Sequence, residues 1–247
     1  MSYWIQFYVN PSRVPVADVV AQTIQALLDS GCAYKCVRLF TTEDTSVPVE
    51  RQRVSVEEQS LDIAEARRLA SRDAAKETHS YPHATLVFGA AFEFDDEARK
   101  MMARQGHRHE EQANEVDLSF FPCEDELIGR RVEINLTTYE EYVLMYGKEE
   151  THERNRQRIL GIAENIYNYV KPYFGWMDGE TDSSDESYGL LIKGKFPLGN
   201  EFVFIGKELI HRASLRGLKR SSHWHKELSD GGVLIRWAAK DRWDAYP

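Results

Sequence analysis

Apolar residues recur at every second position from Tyr3 to Val9 and then at helical spacing from Val16 to Leu28. This early switch of period constrains the chain more than any other feature, because a two-residue period and a 3.6-residue period cannot describe the same backbone. Tyr3, Ile5, Phe7 and Val9 share one face of a strand, which Asn10-Pro11 ends. Val16, Val19, Val20, Ile24, Leu27 and Leu28 line one face of a helix, with Pro15 in its first turn and Ser30-Gly31 as its stop. Lys35 to Phe40 reads as a second strand, so the chain opens strand, helix, strand.

The same reading carries along the chain. Ser55-Val56-Glu57-Glu58 has the form of a capping box and predicts a helix running to Lys76, with a thin apolar face. Ala84 to Phe94 reads as a buried strand with Gly89 at a bulge or close contact. A short helix is expected around Glu97 to Arg104, and two alternating strands at Val116 to Phe121 and Arg131 to Leu136. Thr138 to Tyr146 suits either a short helix or a strand. From Thr151 a long helix follows, with Ile159, Ile162, Ala163, Ile166 and Val170 on one face and Pro172 as its stop. Phe202 to Ile210 reads as a short helix. His223 to Leu228 and Val233 to Trp237 flank Asp230-Gly231, a hairpin signal. Helices and strands interleave without a regular βαβ period. The expected fold is α+β, a mainly antiparallel sheet with helices packed on it, forming a single domain over residues 1–247 with a flexible acidic loop at 178–187.

Charge narrows the partner. Lys and Arg total 31 against 40 Asp and Glu, a formal charge of −9. That balance disfavours a protein that coats nucleic acid or an anionic membrane, and favours a basic protein partner. Three cysteines imply no disulfide framework; Cys32 and Cys36 read as small buried apolar groups. The opening residues lack a basic and apolar leader pattern, and no apolar run approaches the ~18 residues of a membrane span, so the expected location is the cytoplasm.

Familiar catalytic patterns are absent: no phosphate-binding glycine loop, no nucleophile elbow and no H-E-x-x-H. That absence leans the reading away from an enzyme without excluding an unusual one, and no cofactor is called for. Three stretches still invite chemistry. His223 and His225 lie two apart on an expected strand, with Glu227 on the same face, a partial ligand set for a metal-dependent hydrolase or nuclease. Arg212, Arg216, Lys219, Arg220 and Lys226 make a basic stretch suited to RNA or phosphate. Asp178, Glu180, Asp182, Asp185 and Glu186 lack the spacing of a calcium loop and suit electrostatic steering of a basic partner. Beside them, Tyr173, Phe174 and Trp176 surround Gly175; Tyr173, Trp176 and Asp178 are the residues that offer a recognition patch.

A family resemblance rests on three short pieces: Pro172-Tyr173-Phe174-Gly175-Trp176-Met177-Asp178, Asn200-Glu201-Phe202-Val203-Phe204-Ile205-Gly206, and Asp230-Gly231-Gly232-Val233-Leu234-Ile235-Arg236. Together they resemble the bacterial immunity protein 52 family over about residues 155–240, with Leu215 to His223 as an insertion before the last hairpin. The resemblance implies a cytosolic protein that neutralises a cognate toxin of a polymorphic toxin system by stoichiometric binding. It implies no catalytic residues.

Overall fold

The computed structural model describes residues 2–42, 54–77, 82–104, 110–125, 129–139, 141–179, 201–210 and 224–236. Strand β1 (Ser2–Val9) leads through α1 (Val16–Asp29) to β2 (Ala33–Thr42) and β3 (Val54–Gln59). Helix α2 (Ile63–Ala74), β4 (His83–Gly89) and the short helices α3 (Asp96–Arg104) and α4 (Glu110–Ala113) follow. Strands β5 (Glu115–Asp125) and β6 (Gly129–Tyr139) come next, and a π-helical turn over Glu141–Met145 precedes the long helix α5 (Glu149–Val170). The chain then supplies β7 (Phe174–Gly179), β8 (Phe202–Ile205), β9 (Trp224–Glu227) and β10 (Val233–Arg236).

These strands form one ten-stranded sheet in the order β3-β2-β4-β5-β6-β1-β7-β8-β10-β9. Every neighbouring pair is antiparallel, so the fold is α+β with an antiparallel sheet. β1 lies between the two halves: Tyr8 pairs with Glu133 of β6 on one side and with Phe174 of β7 on the other.

The periodicity that reveals β1 and α1 also decides which face is covered. Ile5, Phe7 and Val9 share a core with Val20, Ile24 and Leu27 of α1, Ala66 and Leu69 of α2, and Ile162 and Ile166 of α5. The opposite face carries a second core of Tyr8, Phe174, Trp176, Val203, Ile205 and Ile235. Among the described residues no helix contributes to it; Leu209 and Ile210, in the turn after β8, pack there instead.

Two expected elements are corrected. The capping-box stretch lies in β3, zipped onto β2 from Val37↔Gln59 to Thr42↔Val54. Its alternating valines suit a pleated edge, and the helix start is set further on, where the Asp62 side chain accepts from the Glu65 amide at 2.8 Å. Residues Phe202–Ile205 form a strand rather than a helix. Phe202 and Phe204 enter the first core while Val203 and Ile205 enter the second. A strand buried on both faces shows an unbroken apolar run, which hides its two-residue period. The block after Pro172 likewise holds β7, and α5 ends just before it at Lys171, whose left-handed backbone (φ 50°, ψ 58°) closes the helix on the Tyr167 carbonyl.

Candidate functional site

Antiparallel register places side chains of the helix-free face in rows across the strands. One row begins with exposed Val56 on the edge strand β3 and passes through Phe40 and His83. The Phe40 and His83 rings stack with centroids 4.6 Å apart and planes at 4°, and Phe121 meets His83 edge-on at 5.7 Å. Phe121 stands opposite Glu133, and Glu133 opposite Tyr8. The Arg131 guanidinium lies 4.4 Å above the Tyr8 ring, and Tyr8 stacks on Phe174 at 5.8 Å. Burial pushes the Tyr8 phenol well above its ordinary range, so it stays protonated and donates to Gln6 Oε1 at 2.9 Å.

The neighbouring row is polar. Glu58 stands opposite Arg38 and Arg38 opposite Thr85. Thr85 Oγ1 and Ser119 Oγ share a hydrogen bond of 2.7 Å. Ser119 faces Asn135, Asn135 faces Gln6, and Gln6 faces Trp176. Gln6, Thr85, Ser119, Asn135 and Trp176 are each 9% exposed or less, so beyond Arg38 this row is packed inside the protein.

At the outer end of that row sits an ionic cluster. Arg38 Nη1 donates to both Asp117 oxygens at 2.8 and 2.9 Å, and Nη2 donates to Glu115 Oε2 at 2.5 Å. Lys35, at the bulge between Tyr34 and Cys36, donates to Glu115 Oε1 at 3.2 Å, and Glu58 lies 3.6 Å from Arg38 Nε. Burial works against the Arg38 charge, but Asp117 and Glu115 outweigh it and hold the guanidinium more firmly protonated. Burial raises the Asp117 carboxyl despite its bidentate arginine, with Glu115 adding repulsion. The Cys36 thiol is pushed up to about 11, first by burial and then by Glu58. Three carboxylates, Glu58, Glu115 and Asp117, thus surround one arginine and one lysine.

The residues singled out from sequence fall in several places. Tyr173 and Trp176 belong to the second core and are 5% and 2% exposed. Asp178 pairs with Trp4 across β7 and β1. Glu180, Asp182, Asp185 and Glu186 lie outside the described residues, as does His223. His225 and Glu227 are exposed on the edge strand β9, in register with Ile235 and Val233 and so on the helix-free face. Of the basic stretch, Arg212, Arg216, Lys219 and Arg220 lie outside the described residues. Lys226 turns to the helix side and pairs with Glu164 of α5 at 2.6 Å. Among the described residues, no group of three or more His, Cys, Asp or Glu side chains converges as a metal-ligand set.

Sequence reasoning missed the Arg38 cluster because its members come from β2, β3 and β5, which are brought together only by the order of strands. The usable signal was parity: Arg38 alternates with buried Val37, and Glu115 and Asp117 alternate with buried Val116 and Leu118.

No family model matches the chain, immunity protein 52 included, and no curated protein matches it. Among solved structures, the Pseudomonas aeruginosa T6SS protein PA0821 aligns over 95% of this chain and 64% of its own, with 11% identity and a TM-score of 0.44. The chain therefore spans less than two thirds of that protein. Ara h 8.0201 aligns over 69% of this chain and 97% of its own, with 10% identity and a TM-score of 0.25. Neither alignment carries a functional argument. Among the described residues, no helix is long and apolar enough to cross a membrane.

Proposed function

We propose that this chain is a non-catalytic binding protein that neutralises a basic protein partner by stoichiometric capture, in the manner the immunity-protein resemblance implies. The observation that supports it best is the acid-rich cluster around Arg38 at the β3 end of the sheet, where Glu58 is exposed beside Glu115 and Asp117. Carboxylates held in place by the sheet and by Arg38 lower the entropic cost of association. A net charge of −9 favours a basic partner and speeds encounter at low salt. In this reading Tyr173 and Trp176 stiffen the floor of the face. Asp178, Glu180, Asp182, Asp185 and Glu186 supply charge that steers the partner, which meets the protein in the cytoplasm.

The test is co-expression with the product of the neighbouring reading frame, followed by calorimetry of the purified pair. A one-to-one complex is expected, with an association rate that falls as salt rises. Glu58→Lys together with Glu133→Lys should slow association at low salt by about tenfold, measured on protein whose circular dichroism shows it folded. A pair that does not associate, or a complex indifferent to both substitutions, would sink the proposal.

A further inference from the structure

The helix layer has an outward valley of its own. Ala17, Ala21 and Leu28 of α1 face Ile63 and Ala64 of α2 across a cavity of about 580 Å³, with Ile24 at its floor. The valley stays open because three of its wall residues are alanines. Its volume falls within the ~300–1,000 Å³ of ligand-sized sites. From Ala17 to Leu28, at ~1.5 Å per residue, it runs about 16 Å, or three helical turns. That shape suits a rod of about the same length rather than a compact small molecule.

Charge decides what kind of rod. The lining carries Arg67 and Arg68 and no carboxylate, in a chain whose overall charge is −9. Arg68 is held by Glu65 at 2.5 Å, whereas Arg67 is exposed and forms no ion pair among the described residues. The valley thus has an apolar floor edged by one uncompensated cation, Arg67, and by Arg68, which Glu65 already holds, on the face opposite the one proposed to capture a basic protein. We propose that it docks an amphipathic helix of another protein, its apolar side chains at i, i+3/i+4 and i+7 set over Ala17, Ala21 and Ile24 and its carboxylates over Arg67 and Arg68. This surface is independent of the proposed capture face, and the two fail or succeed separately.

The probe is a fluorescein-labelled peptide of about 14 residues, with leucines at helical spacing and glutamates along both flanks. Its twin carries lysines in place of the glutamates. By anisotropy the glutamate peptide should bind in the micromolar range and the lysine peptide about tenfold more weakly, with Arg67→Glu plus Arg68→Glu reversing the order. Ala21→Leu should fill the floor and weaken the glutamate peptide by about tenfold, and so should Ala64→Leu, at an exposed position that the fold tolerates. Equal binding of both peptides, no reversal in the double arginine variant, or unchanged affinity in both leucine variants would overturn the proposal. So would a concentration-dependent dimer abolished by Ala21→Leu, which would assign the valley to a second copy.

Discussion

Gly175→Ala tests how tightly the two halves of the sheet are joined. Gly175 stands opposite Phe7 of β1 and Phe204 of β8. An added methyl group would sit 2.2 Å from Phe7 Cδ1, 2.6 Å from its Cε1 and 2.9 Å from the Gln6 carbonyl. Two effects oppose each other. Replacing glycine by alanine removes freedom from the unfolded chain and stabilises by ~0.4–1 kcal/mol where the folded backbone tolerates it. Overpacking a filled core costs ~1–3 kcal/mol. Here the second effect wins, at its upper end. Phe7 is fully buried and meets Phe204, also fully buried, edge-on at 5.1 Å, so its ring has nowhere to move. A net loss of about 2 kcal/mol is expected, read in urea as a fall in midpoint of about 0.7 M at a slope of ~3 kcal/mol/M. Phe7→Leu makes room, so the double variant should be more stable than the sum of the singles by at least about 1 kcal/mol. A Gly175→Ala protein within about 0.5 kcal/mol of the parent, or strict additivity, would refute the steric argument.

Other outcomes follow from single sites. Asp95 caps α3, accepting from the Glu97 and Ala98 amides, and also accepts from the Lys148 amide at the start of α5. Those amides hold its carboxyl down at about 2, so its stabilisation is complete above the ordinary carboxylate range and is lost as pH falls toward 2. Asp95→Ala should cost about 1 kcal/mol at neutral pH and flatten that acid limb in denaturant titrations. Buried Glu201 accepts from the Tyr3 hydroxyl at 2.9 Å and lies 3.2 Å from Arg156 and 3.6 Å from Arg236. Glu201→Ala leaves two cations without their shared anion and should cost about 3 kcal/mol by urea unfolding. The Cys36 thiol, buried and pushed up to about 11, should resist iodoacetamide at pH 8, where only about one in a thousand is thiolate, and should react fully in guanidinium.

Much of the architecture is legible in residue order because it is local. β1, α1 and the apolar face of α5 follow from periodicity, and the β9–β10 hairpin from Asp230-Gly231, where Gly231 adopts φ +88°. Two of the strands buried on both faces, β7 and β8, are not legible in this way, although β1 and β4 are. β8 reads as a helix because its alternation is erased, and β7 hides in an aromatic block that the eye assigns to recognition. Trp176 shows the same limit: a dense aromatic run gives no sign of whether a ring faces a partner or the protein's own second core. The motif glycines were visible as motifs, but their reason is spatial. A methyl group at Gly206 would meet the Pro172 carbonyl at 2.2 Å, and one at Gly232 the Tyr167 hydroxyl at 2.0 Å. The Arg38 cluster was out of reach, since Arg38 and Asp117 lie 79 positions apart.

The central seat of β1 has a consequence for biosynthesis. β1 leaves the ribosome well before either neighbour: Val9 waits for Val132, and Tyr8 waits for Phe174. Until both have emerged, its two apolar-lined edges stand open to any passing extended segment. A nascent chain of this kind has reason to depend on chaperone cover, because β1 must join two half-sheets that are both made after it.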